Sequence, residues 1–269
     1  MKKVIGLLTA VGLMTAPLVQ AGTVTVSGST SVAHVMEVLA ENYQNTAKKN
    51  VEVQSTGSSA GIRAAKDGTS MIGMSSRNIK ENELNDNTKE IVIARDGIAA
   101  AVNKANPVQD LTQEQISKIY RGEIKNWSEV GGEARPIVVV TRENGSGTRG
   151  AFEEIMDLQR TVNGHKVTAI TPTAQVGNGN GMIKTIVANN PFAIGYISLG
   201  SVDDSLVALS VGGVEATDKN IATGDYQIAR PFIVLVNDQP HPNAQGFLDF
   251  IMSNDGQSIV AEEGYIRVQ

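Results

Sequence analysis

No cysteine occurs among the 269 residues, so the core must stand without disulfide staples. That absence also removes the commonest lipid attachment point of bacterial exported proteins. Histidine is scarce, at three residues. No His/Asp spacing resembles a metal cluster or a base beside a nucleophile. Basic blocks are missing as well, which argues against a nucleic-acid partner. After the first residues, no apolar run approaches the roughly 20 residues of a membrane-spanning helix.

The start of the chain is different. Met1-Lys2-Lys3, the apolar run from Val4 to Leu13 and Val19-Gln20-Ala21 read as a secretory signal peptide cut after Ala21. Its removal leaves 248 residues. Lys2 and Lys3 leave with it, so 21 basic residues face 28 acidic ones, a net charge of −7. The expected product is an exported protein, periplasmic and free of a lipid anchor. An acidic protein that captures an anion must use local donors, because its overall field repels the ligand.

Strand and helix patterns alternate. "TVTV" (Thr23–Val26), "VEVQS", "SMIGMSS", "EIVIARDGIAAAVN", "RPIVVVT", "FAIGYIS" and "RPFIVLVN" read as strands. Val32, Val35, Met36, Leu39 and Tyr43 share one face of a helix. "AGIRAAKDG" is a helix stopped by Gly68. "LTQEQISKIYRG" is another, with a Thr112/Gln115 capping box and a Gly122 stop. "NAQGFLDFIMSNDGQSIVAEEG" closes the chain with helix. The alternation predicts an α/β fold with mainly parallel sheets and flanking helices. Breaks fall near Ala99–Asn106 and Ala229–Asn237. They divide the mature chain into 22–100 plus 233–269 as one lobe and an inserted 101–232 as the other, with a cleft between.

Two glycine patterns invite enzymatic readings that fail on their context. Gly145–Gly150 satisfies G-x-G-x-x-G, yet no Asp or Glu lies between Asp157 and Asp203 to hold a ribose. Gly147-Thr148-Arg149 also lacks the G-K-[ST] of a P-loop. Gly57–Gly61 satisfies G-x-S-x-G, but neither His165 nor His241 sits in a recognisable loop with a partner, as a hydrolase would require. What does recur is a polar turn between strand and helix: "SGSTS" (Ser27–Ser31), "STGSSAG" (Ser55–Gly61) and "NGSGTRG" (Asn144–Gly150). Each delivers hydroxyls and free N–H groups to a helix N-terminus, where unpaired donors and the helix dipole favour an anion. N-capping alone explains any one of them. Three such turns plus Arg142 point to a pocket for a small oxyanion.

The sequence resembles the periplasmic phosphate-binding proteins, the substrate-binding components of phosphate ABC transporters, in their short form. "GSTS", "GSSAGI", "IGMSSR", "LTQEQISKIYRGEIKNWSEVGG", "RENGSGTRGAFEE", "IGYISLG" and the terminal "FLDFIMSNDGQ…GY" carry the resemblance over nearly the whole mature chain. It implies a two-lobed, type II periplasmic binding protein fold on a two-stranded hinge. The implied phosphate contacts are Ser29, Thr30, Ser31, Ser58, Ser76, Arg142, Ser146, Gly147 and Thr148. Two positions depart from the long members: Ser76 and Asn144 each stand where those have Asp. The first Asp takes the ligand's proton, and the second tempers the arginine. Ser76 therefore implies softer discrimination against sulfate, unless another carboxylate such as Asp96 substitutes. Arg77 reads as a surface charge, with a further ligand contact as the alternative.

The resemblance implies inorganic phosphate and a membrane permease as partners, a monomer, and neither cofactor, metal nor chemistry. A binding protein for sulfate or molybdate is the nearest alternative. An exported serine phosphatase or esterase using Ser58 or Ser59 is the alternative from another class.

Overall fold

The structure is a computed structural model that describes residues 22–268; the signal-peptide reading of residues 1–21 lies outside them. In chain order, β1 (Val24–Gly28) leads into α1 (Thr30–Ala47), β2 (Val51–Ser55) into α2 (Ser58–Asp67), and β3 (Ile72–Ser75) into the long β4 (Thr88–Asn103). Then come β5 (Asp110–Leu111), α3 (Gln113–Arg121), β6 (Val138–Arg142), α4 (Gly147–Ile155) and the hairpin β7 (Gln159–Val162) and β8 (His165–Thr168). β9 (Gln175–Gly177), α5 (Gly179–Ala188), β10 (Ala193–Ser198), β11 (Leu206–Ala208), β12 (Ser210–Val211) and α6 (Asp218–Thr223) follow. The chain closes with β13 (Ala229–Asn237), α7 (Pro242–Ile251) and α8 (Asn254–Glu262).

The principal sheet runs β2-β1-β3-β13-β4-β10-β6-β9, with β11 also on β4. Parallel pairing is kept to its two ends, where β2, β1 and β3 form one group and β10, β6 and β9 the other. The strands between them are antiparallel: β13 on β3, β13 on β4, and β10 on β4. Such a mixed sheet, with helices on its faces, is the α/β architecture that the alternating pattern anticipates.

Two large apolar cores flank the central strands. One gathers α1, β1, β3, the first part of β4, β13, α7 and α8 around Met36, Leu39, Phe232 and Phe247. The other gathers Ile98 to Val102 of β4 with α3, α4, β10 and the segment up to Ile228, around Tyr120, Phe152 and Tyr196. The chain passes from one core to the other between Ala94 and Ile98, and returns between Ile228 and Phe232. The outward passage therefore lies inside β4, upstream of the Ala99–Asn106 segment, and β4 itself, with one irregularity opposite Phe232/Ile233, stays paired through Asn103.

Local chemistry sets the helix ends. Thr112 and Gln115 cap α3 reciprocally, and Gly122 ends it in the left-handed conformation at φ 76°. Gly61, the last glycine of "GSSAG", has a packing reason instead of a catalytic one. A Cβ there would stand 2.4 Å from the Ser27 carbonyl oxygen, so only glycine lets α2 lie this close to β1.

Candidate functional site

The carboxyl ends of β1, β2, β6 and β9 each feed a helix, and the N-termini of α1, α2, α4 and α5 meet at one place. Backbone N–H groups of Ser31 and Val32 both donate to Ser29 Oγ, which caps α1. Ser146 Oγ caps α4 by accepting from the Arg149 N–H. Gly57, at φ 88°, turns the chain into α2. The fourth terminus, at "GNGNG", carries no Ser or Thr, so it did not match the other three turns.

Every residue implied by the resemblance lies in this junction. The Ser31 and Thr148 hydroxyls are 2.9 Å apart. Ser29 Oγ donates to Ser76 Oγ at 2.8 Å, and the Ser76 N–H donates to Ser58 Oγ at 3.1 Å. Gly147 packs against the same pair: a Cβ would stand 2.1 Å from Ser58 Oγ and 2.6 Å from Ser76 Oγ. Arg142, 1% exposed, ends β6 and donates from Nη2 to Thr30 Oγ1 at 2.9 Å. The Ser31–Thr148 and Arg142–Thr30 contacts join elements packed on different cores, and the Ser59 N–H to Gly145 carbonyl bond at 3.1 Å joins α2 to the turn before α4.

Three further groups belong to the site. Glu143 accepts from Nε and Nη2 of Arg142, both at 2.9 Å. Burial pushes the Glu143 carboxyl up, but the hydrogen bonds and charge of Arg142 bring it below its ordinary value, so it is ionised. The tempering carboxylate thus comes from Glu143, next to Asn144 at the position the resemblance singled out. Asn180, at the start of α5, takes Arg142 Nη1 on its Oδ1 at 2.7 Å and donates from Nδ2 to Ser31 Oγ at 3.1 Å.

The third group is Arg230, 4% exposed. It faces Asp96 in the β13–β4 register and donates to Asp96 Oδ2 from Nη2 at 2.8 Å. From the same guanidinium, Nη1 reaches the Ser76 carbonyl at 3.1 Å and Nη2 reaches Ser31 Oγ at 3.2 Å. Burial raises the Asp96 carboxyl pKa against the pull of Arg230 and Ser198, and burial lowers that of Arg230. A guanidinium nonetheless keeps its proton in proteins, and the pair is an ion pair. Asp96 Oδ2 is thus committed to Arg230, while Oδ1 has no hydrogen-bond partner. The signal for both residues was a charge of each sign embedded in an otherwise apolar strand, "IARDGIAAAVN" and "ARPFIVLVN".

Arg77 corrects the surface reading. It is 8% exposed and makes a two-pronged pair with Glu83, both bonds at 2.7 Å, while Nη2 also donates to Ser59 Oγ. Its Cδ lies where a Cβ on Gly150 would come within 2.9 Å, so it packs against α4. The serine-hydrolase geometry is not formed either. Ser59 Oγ is engaged by Arg77, and no histidine bonds to Ser58 or Ser59 among the described residues. His34 faces Glu263, His165 lies on β8 and His241 caps α7. No group of three or more His, Asp or Glu side chains suited to a metal ion occurs among the described residues.

Comparison with known proteins is consistent across sequence and structure. The family model described as the PBP superfamily domain matches residues 16–255. The phosphate-binding protein PstS of Bacillus subtilis is 34% identical over 254 residues, covering 92% of this chain and 81% of its own. A crystal structure from Clostridium perfringens, of a candidate phosphate ABC transporter substrate-binding protein with bound phosphate, superposes with a TM-score of 0.86. It is 46% identical and covers 92% of this chain and 100% of its own. An ABC-type phosphate transport receptor from Vibrio cholerae gives a TM-score of 0.76 at 44% identity, covering 90% of this chain and 99% of its own.

Proposed function

The chain belongs to the PBP superfamily, and within it to the substrate-binding proteins of phosphate ABC transporters; from that premise we propose how it works. It binds inorganic phosphate tightly and delivers it to a membrane permease, with no bond made or broken. The observation that carries the reading is the convergence of four helix N-termini and the Arg142 guanidinium on one junction. A guanidinium gives a charged fork, and hydroxyl and backbone donors complete the shell of a tetrahedral oxyanion.

The residues that line the proposed ligand pocket are Ser29, Thr30, Ser31, Ser58, Ser76, Arg142, Ser146, Gly147 and Thr148. Burial of the site favours a ligand stripped of water, because hydrogen bonds to a charged group strengthen as the surroundings become less polar. The lobes are residues 22 to about 96 with the segment from about 230 onward, and the part between. This division follows the two cores and sets both crossings within the β4–β13 ribbon. Among the described residues no helix is long and apolar enough to cross a membrane. Together with the signal-like first 21 residues, that supports export to the periplasm, where the protein acts as a monomer.

Isothermal titration with inorganic phosphate tests the binding. We expect a 1:1 complex with a dissociation constant of about 1 μM or below, equivalent to at least about 8 kcal/mol. Absence of heat and of thermal stabilisation by phosphate overturns the reading. A chromogenic phosphate ester left unhydrolysed under the same conditions separates binding from catalysis.

A further inference from the structure

The hydroxyls of this pocket have a direction. Resting on the reading that the pocket holds a tetrahedral oxyanion, that direction can be followed from groups that can only donate. Guanidinium and backbone N–H groups have no acceptor capacity, so each fixes the role of the oxygen it meets.

One chain starts at Arg142. Its Nη1 must meet the amide oxygen of Asn180, which turns Asn180 Nδ2 toward Ser31 Oγ. Arg230 Nη2 donates to the same Ser31 oxygen. Both lone pairs of Ser31 are then engaged, so its own hydrogen goes to Thr148 Oγ1 at 2.9 Å. Thr148, having accepted, has its hydrogen left to give. A second chain starts at the N–H groups of Ser31 and Val32, which engage both lone pairs of Ser29 Oγ. The Ser29 hydrogen goes to Ser76 Oγ, and Ser76 is likewise left with a hydrogen to give.

Three single contacts follow the same pattern. Thr30 Oγ1 accepts from Arg142, Ser58 Oγ from the Ser76 N–H, and Ser146 Oγ from the Arg149 N–H. Of the oxygens on the two buried carboxylates nearby, only Asp96 Oδ1 is left without a hydrogen-bond partner. Both oxygens of Glu143 are held by Arg142. Asp96 Oδ2 is held by Arg230 and Ser198, with that guanidinium bridging from it to Ser31.

We propose that Ser29, Asn180 and Arg230 are positioning residues that orient Ser76 and Thr148 as donors, making the pocket a donor-only shell. It then selects an oxyanion for its charge and shape, and it does not read the proton that distinguishes phosphate from sulfate. Each hydroxyl keeps one free lone pair. Donation to an oxyanion is charge-assisted, however, about twice as strong as a bond between neutral partners, so donation prevails.

The test is a competition titration of phosphate against sulfate at one pH and ionic strength, on the wild-type protein and on Ser76→Ala and Thr148→Val. A donor-only shell predicts that sulfate binds within about tenfold of phosphate, whereas a fixed acceptor facing an unprotonated ligand separates the two by about a hundredfold or more. Each variant should weaken both anions by a similar factor, about tenfold, leaving their ratio within about twofold of wild type. Wild type that excludes sulfate at hundredfold excess overturns the proposal. So does a Ser76→Ala protein that loses phosphate while keeping sulfate, the signature of an acceptor. If neither anion binds wild type, the oxyanion reading itself fails and the proposal falls with it.

Discussion

Arg142 and Arg230 are two buried guanidiniums with opposite duties. Arg142 spends two of its donors on Glu143, one on Asn180 and one on Thr30, so it stands in the proposed site oriented and partly neutralised. Replacing it with alanine removes a buried positive charge with its remaining donor and leaves Glu143 without its partner. We expect Arg142→Ala to lose about 2–5 kcal/mol of phosphate binding, read by titration. Arg230 is a matter of stability first. Asp96→Asn strips the counter-charge from a guanidinium that is 4% exposed, which should cost about 3–5 kcal/mol in denaturant unfolding. A variant as stable as wild type would show that the pair is already hydrated. The hydroxyls and Arg142 were readable in the sequence because they stand together in short turns. Glu143, Asn180 and Arg230 were not singled out. Two of these lie far along the chain from the groups they serve, and only the sheet register brings Arg230 opposite Asp96.

At the scale of elements, the four strand-to-helix turns do most of the positioning. Three were readable from their Ser, Thr and Gly content, as were the Thr112/Gln115 box and the glycine stops of α2 and α3. The fourth, ahead of α5, uses asparagine and glycine, which in sequence look like any loop. The antiparallel centre of the sheet was hidden for a different reason. Periodicity reports which faces are buried, and a strand buried on both faces reads alike in either direction. Gly147 connects the elements most tightly, since α4 begins where Ser58 and Ser76 leave no room for a methyl group. Gly147→Ala should push α4 away from α2 and weaken phosphate binding by about tenfold or more, with a thermal midpoint near that of wild type. An unchanged affinity would mean that the two helix ends need not approach this closely.

For the whole molecule, the proposed ligand contacts come from elements packed on both cores, so binding energy would differ between a closed and an open arrangement. A ligand shifts such an equilibrium by its differential affinity. Small-angle scattering should therefore show a smaller radius of gyration with phosphate than without it. An unchanged value would place the contacts on one lobe, or hold the protein shut in both conditions. The two breaks in the sequence agree with a two-lobed fold. Composition changes at "KANPV", whereas the packing partners change several residues earlier, within a strand whose residues are apolar on both sides of the boundary.

The place of β13 also governs the order in which the chain can fold. It lies between β3 and β4, so the sheet assembled by the first hundred residues has a gap that only residues 229–237 fill. Phe232, Phe247, Leu248 and Val260 then complete the apolar core begun by Val24, Val32 and Met36. Contacts so distant along the chain carry a high loop-closure cost before they are rewarded, which slows folding. A polypeptide emerging N-terminus first keeps its first lobe unfinished until its last forty or so residues arrive. On the proposed export route, such a delay keeps the chain translocatable while it crosses the membrane.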